Sequence, residues 1–238
     1  MDLPIFFAKT ISPSSQTFTL DEDTSKHVIM VLRHKNGDTI LLADGRGNRY
    51  RCTIVDDNRK RCGVHVEEVT KMPAPRPHCA IGIAFTKNAS RNEWFLEKAM
   101  EIGIQRIIPL LSKRTEKEKF KMERLENILV AAMMQSQQYY LPVLQEPVAF
   151  DTLVKEDTTT QRFIAHCLPE EKEYFGDALV KGQDALILIG PEGDFAPEEI
   201  DLALENGYKP VSLGSTRLRT ETAGMVACVI MQRVNEVR

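Results

Sequence analysis

The chain has 238 residues, of which 42% are hydrophobic and 27% are charged, and its formal net charge is −3 at pH 7. This is the composition of a globular protein long enough for two modest cores, and the net charge restricts any RNA-binding site to a local basic patch. The lack of a membrane-length apolar run and of a signal peptide predicts a cytoplasmic protein without a membrane partner, and five scattered cysteines without a C-x-x-C pair predict neither disulfides nor structural zinc.

The N-terminal part of the chain predicts a small β-barrel. Residues 3–8 form an apolar strand, and residues 21–34 form a short helix that Asp23 or Thr24 caps. Further strands are predicted at 39–43, 49–55 and 62–69. Turns rich in Gly, Asp and Asn separate these strands, and short strands joined by such turns are typical of a small barrel.

The predicted barrel is rich in basic residues. They are Arg33, His34, Lys35, Arg46, Arg49, Arg51, Arg59, Lys60 and Arg61. Basic side chains on turns around a barrel could position an RNA backbone without reading its sequence. Scattered charges are also usual on a solvated surface, and composition alone leaves both interpretations open.

A proline-rich stretch separates the two halves of the chain. Residues 71–77 read K-M-P-A-P-R-P, with three prolines in seven residues. Such a segment cannot form regular structure, and it predicts a stiff linker at a domain boundary.

From residue 78 onwards, predicted strands alternate with predicted helices. The strands are 78–85, 106–110, 163–167, 185–189 and 210–213. The helices are 93–102, 122–138, one that begins at Pro197, and 220–234. A charged loop at 112–120 carries Lys113, Arg114, Lys117 and Lys119. Strands that alternate with helices indicate βαβ units and a largely parallel sheet.

Two glycine loops in the C-terminal part share one plan. Gly190-Pro-Glu-Gly193 follows the strand 185–189, and Gly214 follows the strand 210–213. Each loop leads into a helix, and side by side they would form a pocket of backbone N–H groups where α/β proteins bind ligands. A tight turn without a ligand is the alternative for either loop alone. The glycine spacing and the missing Lys-Ser/Thr argue against a nucleotide-phosphate loop.

These loops carry motifs of a known family. G-P-E-G-x-F at 190–195 followed by L-G-x-x-x-L-R-T-E-T-A at 213–223 resembles the SPOUT-class RNA methyltransferases. The most similar group is RsmE, which methylates N3 of a uridine in 16S ribosomal RNA. The N-terminal region is similar to the PUA-like RNA-binding domain of that family, with H-x-x-x-V-L-R at 27–33 followed by Gly37-Asp38 and Asp44-Gly45. The resemblance covers essentially the whole chain.

The resemblance implies a fold, a cofactor and partners. The fold class is α/β, with a PUA-like β-barrel at 1–70, the linker at 71–77 and a SPOUT domain with a mostly parallel sheet and a trefoil knot at 78–238. The cofactor is S-adenosylmethionine, whose methyl transfer needs no metal. The partner is 16S rRNA of the 30S subunit, and the protein is a homodimer with its last helix at the interface.

The resemblance also implies the residues of the active site. Those expected to bind the cofactor are His166, Ile189, Gly190, Pro191, Glu192, Gly193, Leu213, Gly214, Leu218, Thr220, Glu221, Thr222 and Ala223. Arg219 is the expected catalytic residue, because a guanidinium would stabilise a uracil that has lost its N3 proton. Arg217 ranks behind Arg219 as a candidate for this role, and a place on the surface is its alternative. Glu221 either accepts the proton or stabilises the helix dipole.

The RNA-binding candidates fall in both halves of the chain. In the PUA-like region they are Arg33, Lys35, Arg46 and Arg49. In the second domain, Lys87 and Arg91 follow the first strand, where the family places RNA. Ordinary charge on a helix surface is the alternative for these two.

The chain departs from the family pattern at two places. Relatives commonly have Glu-Gln-x-x-Arg where this chain has Met134, Gln135 and Gln138, and they usually have Gly where it has Asp194. Asp tolerates left-handed backbone, so the loop could survive this change. Two alternative functions therefore stay open: another SPOUT methyltransferase, such as a ribose 2′-O-methylase, or an RNA-binding protein without catalysis.

Overall fold

The computed structural model describes residues 3–115, 119–169 and 171–236, so the predicted loop residue Lys117 lies outside the described residues. Contacts divide the chain into two compact units. The first comprises residues 1–74 with 133–141, and the second comprises 75–132 with 142–238. The predicted domain limits of 1–70 and 78–238 stay a prediction.

The first unit contains a five-stranded sheet in the order β1-β3-β4-β5-β2. Its strands are β1 (Ile5–Phe7), β2 (Thr17–Thr19), β3 (Thr39–Ala43), β4 (Asn48–Asp56) and β5 (Gly63–Lys71). Apart from the parallel pair β1 and β3, neighbouring strands are antiparallel. Alternate residues Tyr50, Cys52 and Ile54 of β4 are fully buried, as expected when one face of a strand covers a core. Strand β5 extends through Lys71, the first residue of the predicted linker.

The helical segment of the first unit differs from its prediction. It consists of α1 (Glu22–Lys26) and a π-helical turn, His27–Val31. The predicted caps Asp23 and Thr24 are wrong, because Asp21 occupies the N-cap with an extended backbone and its carboxylate accepts from Thr24 N at 2.8 Å. The helix ends before His34, and Arg33 has a left-handed backbone with φ of 61°.

The second unit contains an eight-stranded sheet in which every pair is parallel. Its strands are β6 (Cys79–Ile83), β7 (Arg106–Leu111), β8 (Val143–Leu144), β9 (Val148–Ala149), β10 (Gln161–Ala165), β11 (Glu173–Tyr174), β12 (Ala185–Ile189) and β13 (Lys209–Ser212). The order is β11-β13-β10-β12-β6-β7-β8, with β9 beside β7. Strands β6 and β12 are buried along their whole length, which explains their continuous apolar sequences. The predicted parallel sheet is confirmed.

The remaining helices follow the strands of the parallel sheet. They are α2 (Ala89–Ile102), α3 (Met122–Gln135), α4 (Phe150–Glu156), α5 (Phe175–Ala178), α6 (Pro197–Glu205) and α7 (Thr220–Asn235). Gly103 ends α2 in the left-handed conformation, as predicted, and its N–H reaches the carbonyls of Ala99 and Met100. Among the described residues, no helix is long and apolar enough to cross a membrane.

Strand order determines which loops meet. Strands β13, β10 and β12 are neighbours, and because they are parallel, their carboxyl ends lie at the same edge of the sheet. The loops that follow them therefore converge, although they lie far apart in the sequence. This edge is the one at which the sequence predicts a ligand pocket.

Candidate functional site

A cavity of about 830 Å³ lies where β10, β12 and β13 end. Its volume is within the usual range of small-molecule pockets. Every predicted cofactor-binding residue except Glu221 and Thr222 lines it, and the predicted catalytic residue Arg219 lines it as well. The cavity walls thus consist mainly of the two glycine loops and the start of α7.

Several lining residues were not predicted. They are Ala165, Cys167, Lys172, Asp194, Val211 and Ser212. Cys167 and Lys172 lie in the loop after β10, whose place beside the glycine loops depends on strand order. The position of His166 at a predicted strand end was the one signal that could have pointed to this loop.

The first glycine loop makes a tight approach to the start of α6. A Cβ added at Gly190 would lie 3.2 Å from the Phe195 backbone N and from its ring, a tight contact that a larger residue would relieve only by shifting this loop. Gly193 has φ of 99° and Asp194 has φ of 69°, both in the left-handed region. Pro197 is the first residue of α6, as predicted, and Glu199 accepts from Ala196 N at 2.8 Å.

Asp194 connects this loop to the end of β10. One carboxylate oxygen accepts from Cys167 N at 2.7 Å, and the other accepts from its neighbour Phe195 N at 2.9 Å. The residue that departs from the family pattern thus joins two walls of the cavity, in a backbone conformation that Asp tolerates.

Replacement of Asp194 gives a graded prediction. Asp194→Ala loses both acceptors and keeps an unfavourable φ, so we expect the free energy of unfolding to fall by about 1–3 kcal/mol. Asp194→Gly loses the acceptors but removes the backbone strain, and Asp194→Asn keeps an acceptor. Each of these two variants should therefore lower the free energy of unfolding by less than Asp194→Ala does. Urea denaturation measures the free energy of unfolding of each variant, and hydrogen exchange at the Cys167 amide reports on the bond to residue 194. Equal stability of the alanine variant and the wild type would contradict the role of this carboxylate.

A hydrogen bond joins the two glycine loops directly. Thr220, the first residue of α7, donates from Oγ1 to the carbonyl oxygen of Gly190 at 3.0 Å. Gly224 lies one turn further along α7, where an added Cβ would come within 2.7 Å of Ile83 and Phe95 side-chain atoms. The start of α7 is thereby fixed against the first loop and against β6.

Charged side chains surround the cavity. Arg91 of α2 lines it, and its Nη1 donates to Glu192 Oε1 at 3.0 Å while its Nε lies 3.6 Å from Glu221 Oε1. Arg217 and Arg219 line the cavity and are exposed. Within the part of the chain that the structure describes, neither of these two arginines forms an ion pair, and no cluster of His, Cys, Asp or Glu could hold a metal ion.

Arg219 occupies the N-cap of α7. Its backbone is extended, and its carbonyl oxygen accepts from Ala223 N at 2.7 Å. An arginine side chain has no acceptor and makes no capping bond, and the residue lies at the end of the helix that carries positive partial charge. Such a place suits a group that stabilises developing negative charge on a ligand.

The predicted RNA-binding residues of the first unit have different surroundings. Arg33 and Lys35 are exposed beside the π-helical turn. Arg46 is exposed but donates to Ile11 O at 2.8 Å, and Arg49 donates to Thr70 Oγ1 at 3.3 Å. In the second unit Lys87 is exposed in the loop after β6. Arg33, Lys35, Arg46 and Lys87 are therefore exposed, and contact of these residues with RNA stays a prediction.

The Asp44-Gly-Arg-Gly turn is built on a buried carboxylate. Asp44 accepts from Arg46 N at 2.8 Å, Asn48 Nδ2 at 2.6 Å and Tyr50 Oη at 3.1 Å. Burial by itself raises the pKa of Asp44, but hydrogen bonds from Asn48 and Arg46 outweigh it, so the pKa lies below its ordinary value. The same contacts raise the pKa of Tyr50 to about 12, through burial and the Asp44 charge. This turn carries Arg46.

A parallel sheet with a loop-built cavity at its carboxyl edge defines an α/β ligand-binding domain. The family described as "RNA methyltransferase domain" matches residues 73–232, and the one described as "RNA methyltransferase PUA domain" matches residues 20–67. The chain belongs to the RNA methyltransferase family. The predicted family and fold class, a PUA-like unit followed by an α/β methyltransferase unit, are confirmed.

Similar proteins support this assignment. "Ribosomal RNA small subunit methyltransferase E" from Synechocystis is 29% identical over 219 residues, which cover 89% of this chain and 71% of that protein. The protein of the same name from Rickettsia conorii is 25% identical over 225 residues, which cover 94% of this chain and 92% of that protein. A "probable rRNA-methyltransferase" structure from Porphyromonas gingivalis is 40% identical, with a TM-score of 0.93 and 98% of each chain covered. A Legionella pneumophila protein in complex with the bound cofactor SAM is 28% identical, with a TM-score of 0.88 and 99% of each chain covered.

Proposed function

We propose that the protein transfers a methyl group from S-adenosylmethionine to N3 of a uridine in 16S rRNA of the small ribosomal subunit. The observation that carries this proposal is the cavity whose walls are the G-P-E-G and L-R-T-E-T-A loops. Relatives named small subunit methyltransferases, and the Legionella pneumophila structure with bound SAM, support the substrate and the cofactor.

The cavity fits the cofactor by its size and by its exposed backbone. Nothing lies within 4 Å of a Cβ added at Gly193 or Gly214, so the backbone at these glycines is open to a ligand. The residues that would hold S-adenosylmethionine are Ile189 to Gly193 on one loop, and Leu213 to Thr220 with Ala223 on the other. Bound there, the cofactor supplies an electrophilic methyl group on a sulfonium.

Arg219 provides the help that uracil needs. N3 of uracil is a poor nucleophile while it keeps its proton, and loss of the proton places negative charge on the ring oxygens. The Arg219 guanidinium lines the cavity at the N-terminus of α7 and would stabilise that anion. Glu221 does not line the cavity and lies beside Arg91, so we do not assign the proton to it.

The PUA-like unit would bind the RNA backbone. Arg33, Lys35, Arg46 and Arg49 are the proposed phosphate contacts of this unit, and Lys87 is the one proposed after β6. The homodimer, the trefoil knot and the cytoplasmic location expected from the family belong to the same proposal.

Two measurements test the proposed function. Isothermal titration with S-adenosylmethionine should show binding, whereas no binding would favour an RNA-binding protein without catalysis. Mass spectrometry of rRNA from a strain that lacks the gene should show one missing 3-methyluridine in 16S rRNA. An unchanged uridine profile together with a missing 2′-O-methyl group would favour the ribose methylase instead.

A further inference from the structure

Arg91 lies between an acidic side chain of the first glycine loop and one of α7, the helix that follows the second loop. Its Nη1 donates to Glu192 in the Gly-Pro-Glu-Gly loop, and its Nε pairs with Glu221 in the first turn of α7. Arg91 itself belongs to α2, a third element of the second unit. A single side chain thus connects the first loop to the start of the helix to which the second loop leads.

Glu221 depends on this contact. Its side chain is 11% exposed, and its Oε2 is buried without a hydrogen-bond partner among the described residues. A buried carboxylate is costly unless a positive charge compensates it. Arg91 supplies that charge, because its Nε lies 3.6 Å from Glu221 Oε1. Without Arg91 the first turn of α7 would hold an uncompensated buried charge.

The geometry of the contact needs a guanidinium. The Nε and Nη1 donors belong to one rigid planar group, which can address two carboxylates on different elements at once. A lysine is a compact point charge and would serve one of the two. An RNA phosphate contact, by contrast, depends mainly on charge, which lysine supplies as well as arginine.

The charge of Arg91 is already compensated within the protein. Two carboxylates, those of Glu192 and Glu221, pair with its single guanidinium.

We infer that Arg91 is a positioning residue that holds the two glycine loops in their cofactor-binding arrangement. This inference rests on the proposed function, in which S-adenosylmethionine occupies the cavity. It gives Arg91 a role different from the RNA contact that its place after the first strand suggests. Glu221 is its buried partner, and Glu192 is its exposed partner.

Two substitutions of Arg91 test the inference. Arg91→Lys and Arg91→Ala should each weaken binding of S-adenosylmethionine by about tenfold or more, because truncating one partner of a buried charge pair leaves the other uncompensated. Isothermal titration measures this affinity. The salt dependence of binding to purified 30S subunits should keep its wild-type slope in both variants, because no phosphate contact is lost.

Matched variants control for loss of folding and for loss of charge. Arg124→Ala removes an arginine that pairs with Glu93 at 2.7 Å outside the cavity lining, and it should bind S-adenosylmethionine like the wild type. Glu221→Gln removes the buried charge and keeps the side-chain shape. Adding it to Arg91→Ala should restore part of the lost cofactor affinity, because it removes the charge that Arg91→Ala leaves uncompensated.

The possible outcomes separate the two proposals. If the Arg91 variants bind S-adenosylmethionine like the wild type, this inference is wrong and the proposed function is unaffected. If Arg91→Ala reduces by about one the slope of log K for 30S binding against log salt concentration, Arg91 is a phosphate contact. Wild-type protein that does not bind S-adenosylmethionine overturns the proposed function and this inference with it. If Arg91→Ala does not fold, the Arg91→Lys result decides.

Discussion

Replacing Arg219 with alanine is expected to lower the rate of methyl transfer by about 10²–10³-fold, the usual cost of removing a group that stabilises charge in the transition state. The affinity for S-adenosylmethionine should stay within about twofold of the wild type, because the proposed contacts with the cofactor come mainly from backbone groups of the loops. Single-turnover assays on 30S subunits and isothermal titration measure the two quantities.

The comparison with Arg217 makes this prediction specific. Arg217 carries the same charge on the same loop and lines the same cavity, but it is not the N-cap of α7. We expect Arg217→Ala to reduce the rate less than Arg219→Ala does. Loss of cofactor binding by Arg219→Ala, with an unchanged circular dichroism spectrum, would show that the side chain holds the cofactor rather than the uracil.

Replacing Asp44 with alanine is expected to destabilise the first unit by about 2–4 kcal/mol, because buried donors lose their shared acceptor. The Tyr50 hydroxyl and the Asn48 amide would then lack the carboxylate that they share. Hydrogen exchange of β4 amides reports on this unit separately from the rest of the chain. Asp57→Ala, at an exposed turn of the same unit, should leave exchange unchanged.

The effect of Asp44 should depend on pH. Its folded-state pKa is lowered below the ordinary value of 3.8, so the charged carboxylate stabilises the folded state fully above that value. The stabilisation is lost as pH falls through the folded-state pKa. The difference in β4 exchange between wild type and Asp44→Asn should therefore shrink in strongly acidic solution, and a difference that grows on acidification would contradict the assigned pKa direction.

The sequence predicted the elements whose signal is local. The strand Ala185–Ile189 is a continuous apolar run that ends at a glycine turn, and α7 begins at Thr220 as predicted. Both glycine loops could be assigned to one pocket because parallel strands end at a common edge. The proposed cofactor-binding loops are also visible in the sequence, because loops that contact a ligand through backbone atoms are rich in Gly, Pro and Leu.

Other features depend on tertiary structure and left no local signal. Strands β2, β8, β9 and β11 have two or three residues, too few for a periodic pattern. The contact of Arg91 with Glu192 joins residues 101 positions apart, and that of Asp194 with Cys167 joins residues 27 positions apart. The order of the strands in the sheet brings these side chains together, and that order could not be predicted from the sequence.

The bond between Thr220 and Gly190 has a consequence for synthesis. A nascent chain that has emerged through Gly193 contains the Gly190 turn but lacks the hydroxyl that bonds to it, because Thr220 belongs to a helix still to be translated. We therefore expect the cavity to take its final form only after the first turn of α7 has been synthesised.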